Sequence, residues 1–172
     1  MTATGDDAHL VVMGVAGSGK TTVAGLLARR LGLELAEADD FHPAANVAKM
    51  HAGIPLTDTD RAPWLLAIRD WLDEHSGGGR HAVVTCSALK RAYRDVLRTA
   101  HSPVRFVHLD GPRALLEERI SARQGHFMPA SMLDSQLDTL EPLEPDEDGF
   151  TVGIGPAPEA ITDEIVARLG LR

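Results

Sequence analysis

The residues best equipped for chemistry stand in Gly14-Val15-Ala16-Gly17-Ser18-Gly19-Lys20-Thr21, a G-x-x-x-x-G-K-[ST] pattern without a mismatch, followed by Thr22. Glycines at these places let backbone amides come close to a polyphosphate, and a helix starting at the loop adds its free N–H groups. Lys20 supplies a point charge for the β- and γ-phosphates, and the Thr21 hydroxyl suits a Mg²⁺ ion. The chemistry on offer is therefore binding of a nucleoside triphosphate and work on its terminal phosphate.

Phosphoryl transfer also needs a group that orients the attacking hydroxyl and cations that offset developing charge. Asp39 is the candidate general base or orienting acceptor, with Asp40 beside it; the alternative for either is to cap the helix that opens near Pro43. Arg119 and Arg123 stand four apart, ahead of Gly125, where they could close over the phosphates or simply complement a helix C-terminus. Lys90, Arg91 and Arg94 crowd the start of a helix, where positive charge is unfavourable for the helix itself. An anionic acceptor group, a carboxylate held by Arg94 for example, would account for them. Lys49 and Arg61 fall where a substrate-covering segment would lie. His42, His51, His126 and Cys86 have no metal-ligand spacing.

These groups need a scaffold that brings them together. Apolar runs alternate with helical patterns along the chain, which predicts an α/β fold with a five-stranded parallel sheet and helices on both faces. The expected strands are His9–Met13, Glu34–Ala38, Arg80–Cys86, Val104–Leu109 and Phe150–Ile154. In such a sheet ligands bind beyond the carboxyl ends of the strands, where the glycine-rich loop, Asp39 and Cys86-Ser87-Ala88 would meet. Ser76–Gly79 reads as a connection and Glu141–Gly149 as an acidic loop. One domain over residues 1–172 is expected, with 1–7 flexible and a helical lid at about 119–139.

Lys and Arg number 17 against 25 Asp and Glu, a net charge of −8. An acidic chain with no basic block is a poor partner for nucleic acid or an anionic membrane. The lone Cys86 precludes an internal disulfide and suits a reducing compartment. No stretch has the length and apolarity of a membrane span, and Met1–Ala8 lacks signal-peptide character, so a cytoplasmic protein is expected.

Beyond the phosphate loop, several blocks resemble the small P-loop gluconokinases. They are Asp39-Asp40-Phe41-His42-Pro43 with Asn46 and Lys49-Met50, Gly53–Asp58, Asp60–Leu65, Cys86-Ser87-Ala88-Leu89-Lys90 through Tyr93-Arg94-Asp95, and Arg119 through Arg123-Gln124-Gly125-His126-Phe127. Together they run from about residue 10 to 145. The resemblance implies a nucleoside-monophosphate-kinase-like fold, ATP and Mg²⁺ as cofactors, D-gluconate phosphorylated on its 6-hydroxyl, and a homodimer. Carried over by position, Lys20, Asp39, Arg119 and Arg123 form the catalytic set. The substrate set is Asp39, His42, Lys49, Arg61, Ser87, Lys90, Arg94 and His126. Where the family often has Asp-Gly-Asp, this chain has Glu37-Ala38-Asp39. The competing readings are another small-molecule kinase, such as a shikimate kinase, and a regulatory NTP-binding switch. The adenine pocket is expected near Gly155-Pro156-Ala157-Pro158 only by analogy of fold.

Overall fold

Hydrophobic runs too apolar to face water on either side become the strands of a central sheet. The computed structural model describes residues 8–76, 81–122 and 130–170. Their elements are β1 (His9–Met13), α1 (Lys20–Leu31), β2 (Glu34–Glu37), a 3₁₀ turn (Ala38–Phe41), α2 (Ala44–His51) and α3 (Asp58–Glu74). There follow β3 (Ala82–Thr85), α4 (Arg91–Leu97), β4 (Val104–Asp110), α5 (Arg113–Ala122), α6 (Ala130–Thr139), β5 (Gly149–Gly153) and α7 (Pro158–Leu169).

The five strands are all parallel in the order β2-β3-β1-β4-β5. From β1 the chain goes first to the β2 edge and later to β4 on the other side. The crevice at the carboxyl end of β1 is therefore the expected ligand position. Strand side chains alternate between two apolar layers. Leu10, Val12, Val83, Val107 and Leu109 pack with α1, α7, Leu116 of α5 and Leu133 of α6. Val11, Met13, Val84 and Phe106 pack with Trp64, Leu65, Ile68 and Leu72 of α3 and Tyr93 and Leu97 of α4.

Local signals set the helix ends. Gly32, at φ 67°, ends α1 by returning its N–H to Ala28 O. Thr57 caps α3 through a reciprocal box with Asp60, and Pro63 sits inside that helix without ending it. The β2 strand stops a residue earlier than expected, because Ala38 already belongs to the 3₁₀ turn. Pro43 stands at the N-cap of α2 with no side-chain cap, so neither Asp39 nor Asp40 caps that helix. Among the described residues no helix is long and apolar enough to cross a membrane. Expectations for residues 1–7, the glycine run, Arg123 and His126 fall outside the described residues.

Candidate active site

The phosphate loop forms because its glycines take up shapes and spaces closed to other residues. Gly14 has φ 151°, and a Cβ there would stand 2.8 Å from Leu109 O and 2.7 Å from Ser18 Oγ. Gly17 has φ 82°, and its Cβ would meet Leu116 O at 2.8 Å. These two glycines thus serve close packing against β4 and α5 as well as access for an anion. Gly19, at φ 92°, is the N-cap of α1 and accepts no side-chain cap, so the helix opens with its N–H groups toward the crevice.

A cavity of about 490 Å³ lies at this end of the sheet. Ala16, Gly17, Gly19, Lys20, Thr21 and Thr22 line one side; Glu37, Ala38, Asp39, Thr85, Cys86 and Ser87 come from the ends of β2 and β3; Gln136 comes from α6. Val15 and Ser18 are buried in the same loop. Lys20 turns its Nζ back onto Gly14 O at 2.9 Å and Val15 O at 3.2 Å. Asp39 is exposed to the cavity. Glu37, at the position where this chain departs from the resembling family, accepts a hydrogen bond from the Thr85 hydroxyl across the β2–β3 pair. Burial pushes the Cys86 thiol up to about 12, which makes it an inert residue just past the end of β3. Arg119 donates to Ile154 O, with its Nη1 beside Gly19, so it sits where the loop meets the end of β5.

A second cluster joins the starts of α3 and α4. The Tyr93 hydroxyl donates to Asp58 Oδ1 at 2.5 Å and accepts from Arg61 Nη1 at 3.0 Å; Lys90 Nζ stands 3.3 Å from Asp58 Oδ1. The Tyr93 hydroxyl, then Lys90, hold the Asp58 carboxyl below the usual range. His42 links the two clusters. Its ring stacks on Trp64 at 4.4 Å and lies near Asn46 Nδ2. Burial lowers its pKa, with Asp39 opposing and Arg61 adding to that effect.

One expectation is corrected. Arg94 is no substrate ligand: it is 0% exposed and gives Nε to Glu147 Oε1 at 2.7 Å, Nη2 to Glu147 Oε2 at 3.1 Å and Nη1 to Ala88 O at 2.8 Å. Burial alone would raise the Glu147 pKa, but hydrogen bonds from Arg94, the Glu144 N–H and Arg98 outweigh it and take it down to about 2. Lys49, its side chain still 38% exposed, has Nζ 2.8 Å from Asp60 Oδ2, the acid that closes the α3 cap. The acidic loop explains Arg91 and Arg94 at the start of α4. Arg91 binds Glu144 and Asp146, and its N–H donates to Glu141.

Sequence reasoning missed Gln136, whose Oε1 accepts from Ala16 N–H at 2.7 Å. The available signal was its place beside the Leu133 and Leu137 face of α6, continued by Leu140 just past the helix, which packs in the same apolar layer as α1. Thr21 fits a Mg²⁺ ion as one exposed hydroxyl oxygen. Among the described residues no group of three His, Cys, Asp or Glu could hold a metal, so phosphate oxygens and water would supply the other ligands.

A parallel sheet whose first strand feeds a phosphate loop, with a carboxylate after the edge strand β2 lining the same cavity, defines a P-loop phosphotransferase. The AAA domain family matches residues 10–143. Gluconokinase of Gluconobacter oxydans is 53% identical over 157 residues, covering 91% of this chain and 88% of that one. The thermoresistant gluconokinase of Escherichia coli is 40% identical over 148 residues, covering 86% and 85%. The crystal structure of a gluconokinase from Sinorhizobium meliloti superposes with a TM-score of 0.87 at 44% identity, covering 95% and 92%. The Mycobacterium tuberculosis APS kinase, at 19% identity and TM-score 0.68, shares the fold. The chain belongs to the gluconokinase family and is a kinase.

Proposed function

We propose that this enzyme transfers the terminal phosphoryl group of ATP to the 6-hydroxyl of D-gluconate, giving 6-phospho-D-gluconate and ADP. The observation that carries the reading is that Lys20 and the phosphate loop share one cavity with Asp39 and Ser87. In the transfer, the acceptor oxygen bonds to phosphorus as the bond to the ADP oxygen breaks. Asp39 accepts or orients the hydroxyl proton, and Ser87 holds the acceptor chain. Lys20 exchanges its loop carbonyls for phosphate oxygens, and Arg119 offsets charge at the nucleotide side. When bound, Mg²⁺ neutralises phosphate charge, with Thr21 as its protein ligand.

Gluconate is an anion, and Arg61, Lys90 and Tyr93 form a group of donors suited to its carboxylate. Asp58 is a carboxylate already seated on those donors, which supports the assignment. His42 then forms the wall between carboxylate and transfer ends. Assembly as a homodimer and a cytoplasmic location belong to the same reading; the first rests on the resemblance, the second on the lone Cys86 and the character of the sequence. ADP release in a coupled assay tests it. Release should rise steeply with gluconate and stay at background with shikimate, AMP or no acceptor; equal release with and without gluconate would return the switch reading.

A further inference from the structure

We propose that Asn46 is a positioning residue that fixes the His42 ring with its proton on Nε2, so that His42 meets the acceptor substrate as a hydrogen-bond donor. The inference rests on the reading that His42 walls the acceptor site, and it adds the state in which the ring does so.

The tautomer follows from one neighbour that can only accept. Asn46 is buried, and its Nδ2 lies 2.9 Å from the backbone oxygen of Asp60. That carbonyl cannot donate, so the amide turns its NH₂ group toward it; the flipped amide would set oxygen against oxygen. The second N–H of the same nitrogen meets His42 Nδ1 at 3.3 Å. Nδ1 therefore accepts, and in the neutral ring the proton stands on Nε2.

Two contacts hold the ring in this sense. Its plane lies 11° from that of Trp64, with 4.4 Å between centroids. Trp64 is tied in turn to the cavity lining, its indole N–H donating to Ala38 O at 2.6 Å. Turning the ring over within the stack would set a carbon against the Asn46 N–H and leave a buried donor unpaired. His42 Nε2 has no hydrogen-bond partner among the described residues. The charged groups that face the ring are Asp39, from the 3₁₀ turn, and Arg61, from α3; burial favours the neutral form, Asp39 opposes it and Arg61 adds to it.

The consequence is a division of roles. An Nε2 that carries a proton cannot take one from a hydroxyl, and the Nδ1 lone pair is engaged by Asn46, so the base of the proposed transfer is Asp39 alone. An acceptor lying between the Arg61 group and Asp39 passes the ring and offers it oxygens to donate to. A carboxylate in place of the Asn46 amide would reverse the ring, accepting from Nδ1–H and leaving Nε2 bare.

The test begins with the full chain labelled with ¹⁵N at histidine, His42 being assigned by its proximity to Trp64. Two-bond ¹H–¹⁵N correlation near neutral pH should show Nε2 protonated and Nδ1 bare, and gluconate should move the Nε2 resonance. Asn46→Asp should transfer the proton to Nδ1 and, at about pH 9, raise KM for gluconate about 2–10-fold, the worth of one neutral hydrogen bond, with KM for ATP unchanged. That rise should fade toward about pH 6, because the imidazolium again carries a proton on Nε2. A purely structural loss would not fade with pH. A native ring protonated on Nδ1, an Nε2 resonance indifferent to gluconate, or a KM rise that ignores pH would overturn the proposal. The ligand-free spectrum of the native chain decides the tautomer even if Asn46→Asp does not fold, and whichever way the acceptor reading falls. Gluconate-dependent ADP release by the same native sample shows whether a negative result belongs to this proposal or to that reading.

Discussion

Lys90 and Arg94 stand one helical turn apart on α4, and each binds a carboxylate, yet their surroundings give them opposite uses. Arg94 and Glu147 are both 0% exposed, and backbone carbonyls take further guanidinium N–H groups. Lys90 and Asp58 meet in the open, with the Asp58 side chain 66% exposed. Water screens the second pair, so another carboxylate can replace Asp58 at little cost. Nothing can replace Glu147 without leaving a buried guanidinium unpaired. Burial, rather than residue type or spacing, separates a structural cation from one available to a ligand.

The largest effect should come from breaking the buried pair. Arg94→Ala should lower stability by about 3–5 kcal/mol in urea denaturation, while folded protein keeps its KM for gluconate. The double variant Arg94→Met/Glu147→Leu should recover much of that loss; no recovery would mean that the ion pair is not what the site needs.

A buried base at the opposite end of the sheet extends the comparison to pH. His9 Nδ1 accepts from Ala82 N–H at 3.0 Å, which requires a neutral ring with its proton on Nε2. Burial first, then neighbouring His81, lowers its pKa to about 4 from the ordinary 6.5. The unfolded chain thus takes up the proton first as pH falls. The His9 contribution is complete above about pH 6.5 and is lost on the way down to about 4, on the order of 3 kcal/mol in all. Glu147, held at about 2, gives up its contribution only below the ordinary carboxylate value of 4.5. Urea midpoints from pH 7 to 5 should therefore fall in the native chain and less in His9→Asn. Parallel slopes would remove His9 from the account.

The smallest change in free energy should belong to the open cluster. Lys90→Ala should raise KM for gluconate about tenfold, leave KM for ATP alone and move stability by no more than about 0.5 kcal/mol. A stability loss like that of Arg94→Ala would erase the distinction between the two sites.

Much of this was legible in the chain. The three central strands β1, β3 and β4 announced themselves because parallel strands covered on both faces read as apolar runs, and Gly14–Thr21 is contiguous, so its spacing alone carries the loop. Asp39 could be placed because a strand end is a local feature. Arg94 could not, since its partner lies 53 residues away in an acidic loop that looks solvated. The excess of positive charge at the start of α4 did signal an unseen anion; the sequence left open whether that anion was a ligand or Glu147. Gln136 escaped for the same reason, its contact with Ala16 spanning 120 residues.

The fastening of α6 on either side of Gln136 has a consequence for time. With Leu133 held in the core and Glu141 tied to Leu89, exchange at Ala16 N–H needs only a turn of one half-buried side chain. Side-chain rotamer changes take picoseconds to nanoseconds, whereas lid and domain motions take microseconds to milliseconds. The contact between α6 and the loop can thus open and close many times within any one such slower rearrangement.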